Sequence, residues 1–173
     1  MPTHPMHLKV AATIQDALAK KPFRLLLDPA CGGNQHLPLF ISEKKCRATR
    51  MCCVDILILK NEKVRAIIEI EESGFLPTKI CGKYLQAAIA DHFIHASHTK
   101  ALPYDDKVTF IQILDGSKSL KSGSQKEEQA MLIADKINKN ASSFNIQQYL
   151  LFYIKGSDDT ERLDALCAAI KAL

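Results

Sequence analysis

Apolar residues first recur at helical spacing: Val10, Ile14, Ala17 and Leu18 stand at i, i+4, i+7 and i+8. They predict an amphipathic helix over residues 6–20, ended by Pro22. Leu25, Leu26 and Leu27 form a short apolar run, which the turn-forming string Asp28-Pro29-Ala30-Cys31-Gly32-Gly33-Asn34 breaks. Strand signals follow at 37–42, at 52–59 and at 64–71, the last carrying Val64, Ile67, Ile68 and Ile70. The polar Lys60-Asn61-Glu62-Lys63 separates the last two as a tight turn would, so these strands read as an antiparallel meander.

Pro77 sits where a second helix begins, predicted over 78–95 from Ile80, Tyr84, Ala87, Ala88 and Phe93. Pro103 and Asp105-Asp106 mark its far side. A strand at 108–114, a Gly-, Ser- and Lys-rich loop at 115–125, a helix at 127–138, a strand at 147–154 and an amphipathic helix at 158–173 complete the pattern. The order is α, β, β, β, α, β, α, β, α. Its later strands alternate with helices, which favours crossover connections and a mixed sheet of about five strands covered on both faces. No repeat or shift in composition divides the chain, so residues 1–173 are expected to form a single α/β domain.

Composition narrows the class. An apolar fraction of 47% with 24% charged residues is that of a soluble globular protein. No apolar run approaches the roughly 18–20 residues that cross a bilayer. Residues 1–7 lack a basic stretch followed by an apolar core, so no signal peptide is expected and a cytoplasmic location is the default. In that compartment the six cysteines read as reduced thiols, and none forms a CxxC pair. The net charge of +4 is compatible with a polyanionic partner.

The chemistry concentrates in carboxylates. Residues two apart in a strand point the same way, so Glu69 and Glu71 share one face and Ile68 and Ile70 the other. With the turn centred on Asn61 and Glu62, Asp55 falls close to Ile68 or Glu69, and three carboxylates are expected to converge. Converging like charges raise one another's pKa, and a divalent cation resolves the repulsion. A solvated acidic strand end is the bland alternative. Against it, Asp55 lies between Val54 and Ile56, where an unpaired carboxylate is costly.

Val54-Asp55 followed by Ile68-Glu69-Ile70-Glu71 on successive strands resembles the PD-(D/E)XK nuclease superfamily, and the element order over residues 6–114 is similar to that of its core. The resemblance implies a restriction-endonuclease-like, three-layer α/β/α fold. It also implies Mg²⁺ or Mn²⁺ held by Asp55, Glu69 and the Ile70 carbonyl. Two positions depart from the family pattern: Val54 replaces its proline, and Glu71 stands at its lysine, giving Glu-X-Glu. Some restriction enzymes of the superfamily carry Glu there, and in other members the lysine has moved to a neighbouring element. Lys79 and Lys83, four apart on one helix face, are the candidates here, with a solvated basic face as their alternative. Many members also carry an acid on the first helix, where Asp16 is the only one in this chain.

Other signals point elsewhere. Asp28-Pro29-Ala30-Cys31-Gly32-Gly33 resembles the cofactor loop of DNA adenine methyltransferases, but Asn34 replaces a later glycine, Pro38 interrupts the following helix and no Asn-Pro-Pro-Tyr-type motif appears. His92, His95 and His98 near the end of the second helix suggest either a surface histidine group or a zinc site with Cys52 or Cys53. Lys118, Lys121 and Lys126 suggest phosphate contacts or a solvated loop. Aromatics are sparse and Trp is absent, so a base-stacking surface is not indicated.

Together these features predict a divalent-metal-dependent nuclease acting on nucleic acid, with DNA favoured over RNA. On that resemblance Asp55 and Glu69 would bind metal, Glu71 would orient or deprotonate water, and Lys79 or Lys83 would stabilise phosphate charge. Cutting both strands of a duplex favours a homodimer. The competing reading is a nucleic-acid- or protein-binding module that keeps the fold without catalysis.

Overall fold

The computed structural model describes residues 4–72, 76–117, 125–156 and 158–173. Among these residues four α-helices and eight strands follow in order: α1 (Pro5–Leu18), β1 (Arg24–Leu27), β2 (Leu37–Phe40), β3 (Arg50–Val54), β4 (Ile56–Lys60), β5 (Lys63–Glu71), α2 (Pro77–Ile89), β6 (His92–Ile94), β7 (Ala101–Asp115), α3 (Lys126–Asn140), β8 (Gln148–Ile154) and α4 (Thr160–Lys171). Proline opens both α1 and α2, where its missing N–H costs nothing.

The sheet is mixed. Its strands run β1-β4-β5-β7-β6-β2-β3, and β8 pairs with β7 off that path. β4 lies between β1 and β5 and is antiparallel to both, whereas β7 lies parallel to β5 and β8 parallel to β7. Parallel neighbours need crossovers: α2 lies in the β5-to-β7 connection and α3 in the β7-to-β8 connection. Helices cover both faces. Ile80, Tyr84, Ala87 and Ala88 of α2 and Ala130 and Ala134 of α3 join one core. Val10 and Ile14 of α1 join Leu163, Leu166 and Ile170 of α4 in the other.

The expected α/β class with a mixed, helix-flanked sheet is found, with eight strands in place of about five. Three differences account for the excess. The run Leu25–Leu27 is an edge strand rather than a loop approach. The expected strand at 52–59 is two strands that part at Asp55: β3 turns to pair with β2, while β4 pairs with β1 and β5. The expected helix at 78–95 ends at Ile89, because Ala90 is extended and His92–Ile94 pair as β6 between β2 and β7. Phe93 fits both periods; in the strand it lies opposite Leu39 and Leu102 and is 1% exposed. Pro103, Asp105 and Asp106, read as a boundary, lie inside the fifteen-residue β7. Most of the expected loop, including Lys118 and Lys121, lies outside the described residues; Lys126 begins α3.

Candidate active site

The β4–β5 hairpin sets the register of the site. Asn61 and Glu62 both take positive φ, 50° and 61°, the geometry of a type I′ turn, and Lys60 pairs with Lys63. A bulge follows at Arg65, between the pairs Leu59–Val64 and Ile58–Ala66. It aligns Ile56 with Ile68, which carries Asp55, one step earlier, to the level of Glu69.

At Asp55 the ladder ends. Because the preceding residues leave for β2, the Ile70 N–H is satisfied by a side chain: it donates to Asp55 Oδ2 at 2.7 Å. The Asp55 carbonyl accepts the Asp28 N–H at 2.9 Å, fastening the end of β1 to the same point. Ile70 itself is buried in the core beneath α1 and α4 with Ile68, as the alternation expected.

Glu69 faces the α2 side and is 2% exposed. Burial, reinforced by the charge and hydrogen bond of Asp55, pushes its carboxyl up to about 8, against the pull of Lys83. Burial likewise raises Asp55, opposed by the Ile70 N–H, His7 and Lys83. The two acids therefore tend to hold a proton between them near neutral pH.

Lys83 Nζ reaches Glu69 Oε2 at 2.6 Å and Lys79 Nζ reaches Glu71 Oε1 at 3.1 Å. This double match follows from element geometry: two strand residues advance roughly 6.8 Å and four helical residues about 6 Å, so the rungs 69–83 and 71–79 align. Burial opposes charge on Lys83, yet Glu69, Asp55 and Glu71 outweigh it and hold the ammonium protonated. Each lysine pairs with an acid; Lys83 is half-buried, while Lys79 remains exposed, as a solvated basic face would have it.

Convergence is of two acids rather than three. Glu71 stands one rung away and turns to Lys79, and among the described residues the three carboxylates do not gather within metal-ligand distance. Asp16 is exposed and outside the site. The first helix contributes His7 instead, 7% exposed, with Nε2 3.7 Å from Asp55 Oδ2. The His4–His7 spacing at the head of α1 was the sequence signal for it, but nothing in the sequence tied that turn to residue 55.

The remaining candidates are placed as follows. Asp28 caps a 3-10 turn at Pro29–Cys31 by accepting the Cys31 N–H at 3.0 Å. This turn leads to strand β2, where a methyltransferase-like cofactor loop would feed a helix. Gly32 has φ 89°, and a Cβ on Gly33 would fall 1.7 Å from the Leu27 carbonyl oxygen. His92 lies in β6 with Nδ1 2.5 Å from Asp91 Oδ1, while His95 and His98 follow that strand with rings 5.0 Å apart. Among the described residues no group with metal-ligand spacing joins them to Cys52 or Cys53; the group that has it is His4, His7 and Glu72. The six cysteines are free thiols. Burial, then Glu69, raises Cys52 to about 12, and burial raises Cys53 against Arg50, so neither offers a thiolate nucleophile.

A cavity of about 610 Å³ has a lining that includes the basic side chains of His36, Lys45, Arg47 and Arg50 together with Cys53, two residues before Asp55 in the chain.

The carboxyl oxygens of Asp55 and Glu69 are the donor type that Mg²⁺ and Mn²⁺ prefer, and a buried acid pair disposed to share a proton fits a hard divalent cation. Compared with family models, curated proteins and solved structures, the chain matches none.

Proposed function

We propose that this protein is a divalent-metal-dependent nuclease of the PD-(D/E)XK type that hydrolyses phosphodiester bonds, DNA being the favoured substrate. The observation that carries the reading is the Asp55–Glu69–Lys83 constellation: two neighbouring acids where β4 parts from β3, and a protonated lysine 2.6 Å from the buried one. The order α1, then antiparallel β1, β4 and β5, then α2 and a parallel β7 supports a restriction-endonuclease-like core. The cavity lined by His36, Lys45, Arg47 and Arg50 supports a polyanionic substrate.

Asp55 and Glu69 would hold Mg²⁺ or Mn²⁺, with the Ile70 carbonyl as a further oxygen donor. A bound ion of this kind lowers the pKa of water and offsets charge on a phosphodiester. Lys83 takes the role of the displaced family lysine: its ammonium, kept charged by the acids, orients water and balances phosphate charge. Lys79 and Glu71, more exposed and paired with each other, flank the site one rung away. Arg47 and Arg50 bind backbone phosphates along the cleft.

One observation favours the non-catalytic alternative, a binding module on the same fold: Lys83 offsets the Glu69 charge without any ion. Incubating plasmid DNA with Mn²⁺ and either wild type or Glu69→Gln decides between them. The nuclease reading expects nicking by wild type alone; a binding module retards DNA in both and cuts it in neither.

A further inference from the structure

The first turn of α1 and the end of β5 meet in a second group of donors that the nuclease reading leaves unused. His4 is the N-cap residue and makes no side-chain capping bond; Pro5 starts the helix, and His7 follows one turn on. Glu72 comes just after β5. Its Oε1 lies 3.0 Å from His7 Nδ1 and its Oε2 3.8 Å from His4 Nδ1, and the donor atoms all fall within 4.8 Å of one another. A tetrahedral ion with ligands at roughly 2.0–2.1 Å holds its donors about 3.4 Å apart, a value these two distances bracket.

The other face of His7 adds an independent observation. Its Nε2 lies 3.7 Å from Asp55 Oδ2. With a metal on Nδ1 the ring proton sits on Nε2, the nitrogen facing that carboxylate; at 3.7 Å the pair is an electrostatic contact, the arrangement from which a carboxylate–histidine–metal relay forms when the two close to hydrogen-bond distance. His4 is 42% exposed, which leaves a side of the group open to solvent.

We infer that His4, His7 and Glu72 form a three-ligand site for a borderline divalent transition ion of the zinc type, separate from the all-oxygen site at Asp55 and Glu69. Two imidazoles and one carboxylate with an open fourth position are a zinc-type donor set, whereas Mg²⁺ prefers oxygen throughout. His7 joins the two sites, because occupancy at Nδ1 turns an N–H toward Asp55. The inference stands on these three side chains and does not depend on the nuclease reading.

The test is calorimetric titration of Zn²⁺ into the tag-free full chain, with visible absorption of Co²⁺ as an independent readout of coordination. Wild type should bind one Zn²⁺ and give the intense bands of tetrahedral Co²⁺. His4→Ala and Glu72→Gln should each weaken Zn²⁺ by about tenfold or more, and Asp55→Asn, which removes the outer carboxylate, by about tenfold. His4→Ala removes no capping bond, so its metal-free melting temperature should match wild type and exclude misfolding. Glu69→Gln should keep Zn²⁺ affinity while losing Mn²⁺. Absence of Zn²⁺ binding in wild type, or equal binding in His4→Ala, overturns the site. Zn²⁺ binding without any Mn²⁺ binding or cleavage supports it and sinks only the nuclease reading.

Discussion

Lys83 Nζ lies 2.6 Å from Glu69 Oε2, one side chain 35% exposed and the other 3%. The lysine bridges solvent and a buried carboxyl; under the nuclease proposal it is the group an incoming phosphate would meet beside the acids. Lys83→Met should lower Mn²⁺-dependent cleavage by about 100-fold or more, the usual cost of removing one electrostatic stabiliser. Lys79→Met, which strips the partner of a more exposed acid, should cost less than about tenfold by the same reasoning. Initial rates of plasmid nicking at saturating Mn²⁺ compare the two, and equal losses would remove the special role of Lys83.

The raised acids would make metal binding at the proposed Asp55–Glu69 site pH-dependent. A cation at Asp55 and Glu69 must displace the proton they hold, so affinity should climb with pH and level off above about 8, where Glu69 is already ionised. One proton released corresponds to about tenfold per pH unit below that plateau. Mn²⁺ titrations from pH 6 to 9, in buffers of different ionisation enthalpy, measure both slope and proton count. A flat profile contradicts the shared proton.

The same carboxyl sets a stability trend without metal. Glu69 has a folded pKa of about 8, above its ordinary 4.5, so between these values the native state binds more protons than the unfolded chain. Its contribution to stability therefore falls as pH rises through that window and is flat above it. Urea unfolding of metal-free protein at pH 5.5, 7 and 8.5 should show the decline, and Glu69→Gln should reduce it.

Much of this site was legible in the sequence. A period-two pattern put Glu69 and Glu71 on one face, the Asn61-Glu62 turn gave the register to within one residue, the bulge at Arg65 then bringing Asp55 to Glu69, and four-residue spacing joined Lys79 with Lys83. The parts that were not legible depend on partners distant in the chain. Asp55 reads as one position in a continuous apolar strand, and only the departure of β3 toward β2 turns its carboxylate to the Ile70 N–H. His92–Ile94 fits either period, and pairing on both edges decides for strand. His7 reaches Glu72 across sixty-five positions, a contact no local pattern encodes.

Gly33 tests the packing that holds Asp28 against Asp55. A methyl group there meets the Leu27 backbone rather than a side chain that can move aside. Gly33→Ala should destabilise the fold by at least about 2 kcal/mol, read by urea denaturation. A loss under about 0.5 kcal/mol, the range of ordinary surface changes, would show that the loop is not tightly set.

The basic cleft makes a separate claim about substrate. Arg47→Ala and Arg50→Ala should each weaken DNA binding regardless of sequence and reduce the slope of log affinity against log salt by about 1. Fluorescence anisotropy with a labelled duplex in Ca²⁺ at several salt concentrations gives both values. Unchanged slopes would move the nucleic acid away from this face.

The most direct measurement is cleavage of supercoiled plasmid with Mn²⁺ by wild type and by Asp55→Asn/Glu69→Gln, alongside Mn²⁺ titration of both proteins. The account expects metal binding and nicking in wild type and neither in the double variant, with both proteins folded. A folded wild type that binds no Mn²⁺ and leaves the plasmid intact would contradict it, and would leave Asp55, Glu69 and Lys83 as a buried ion-pair network within a binding protein.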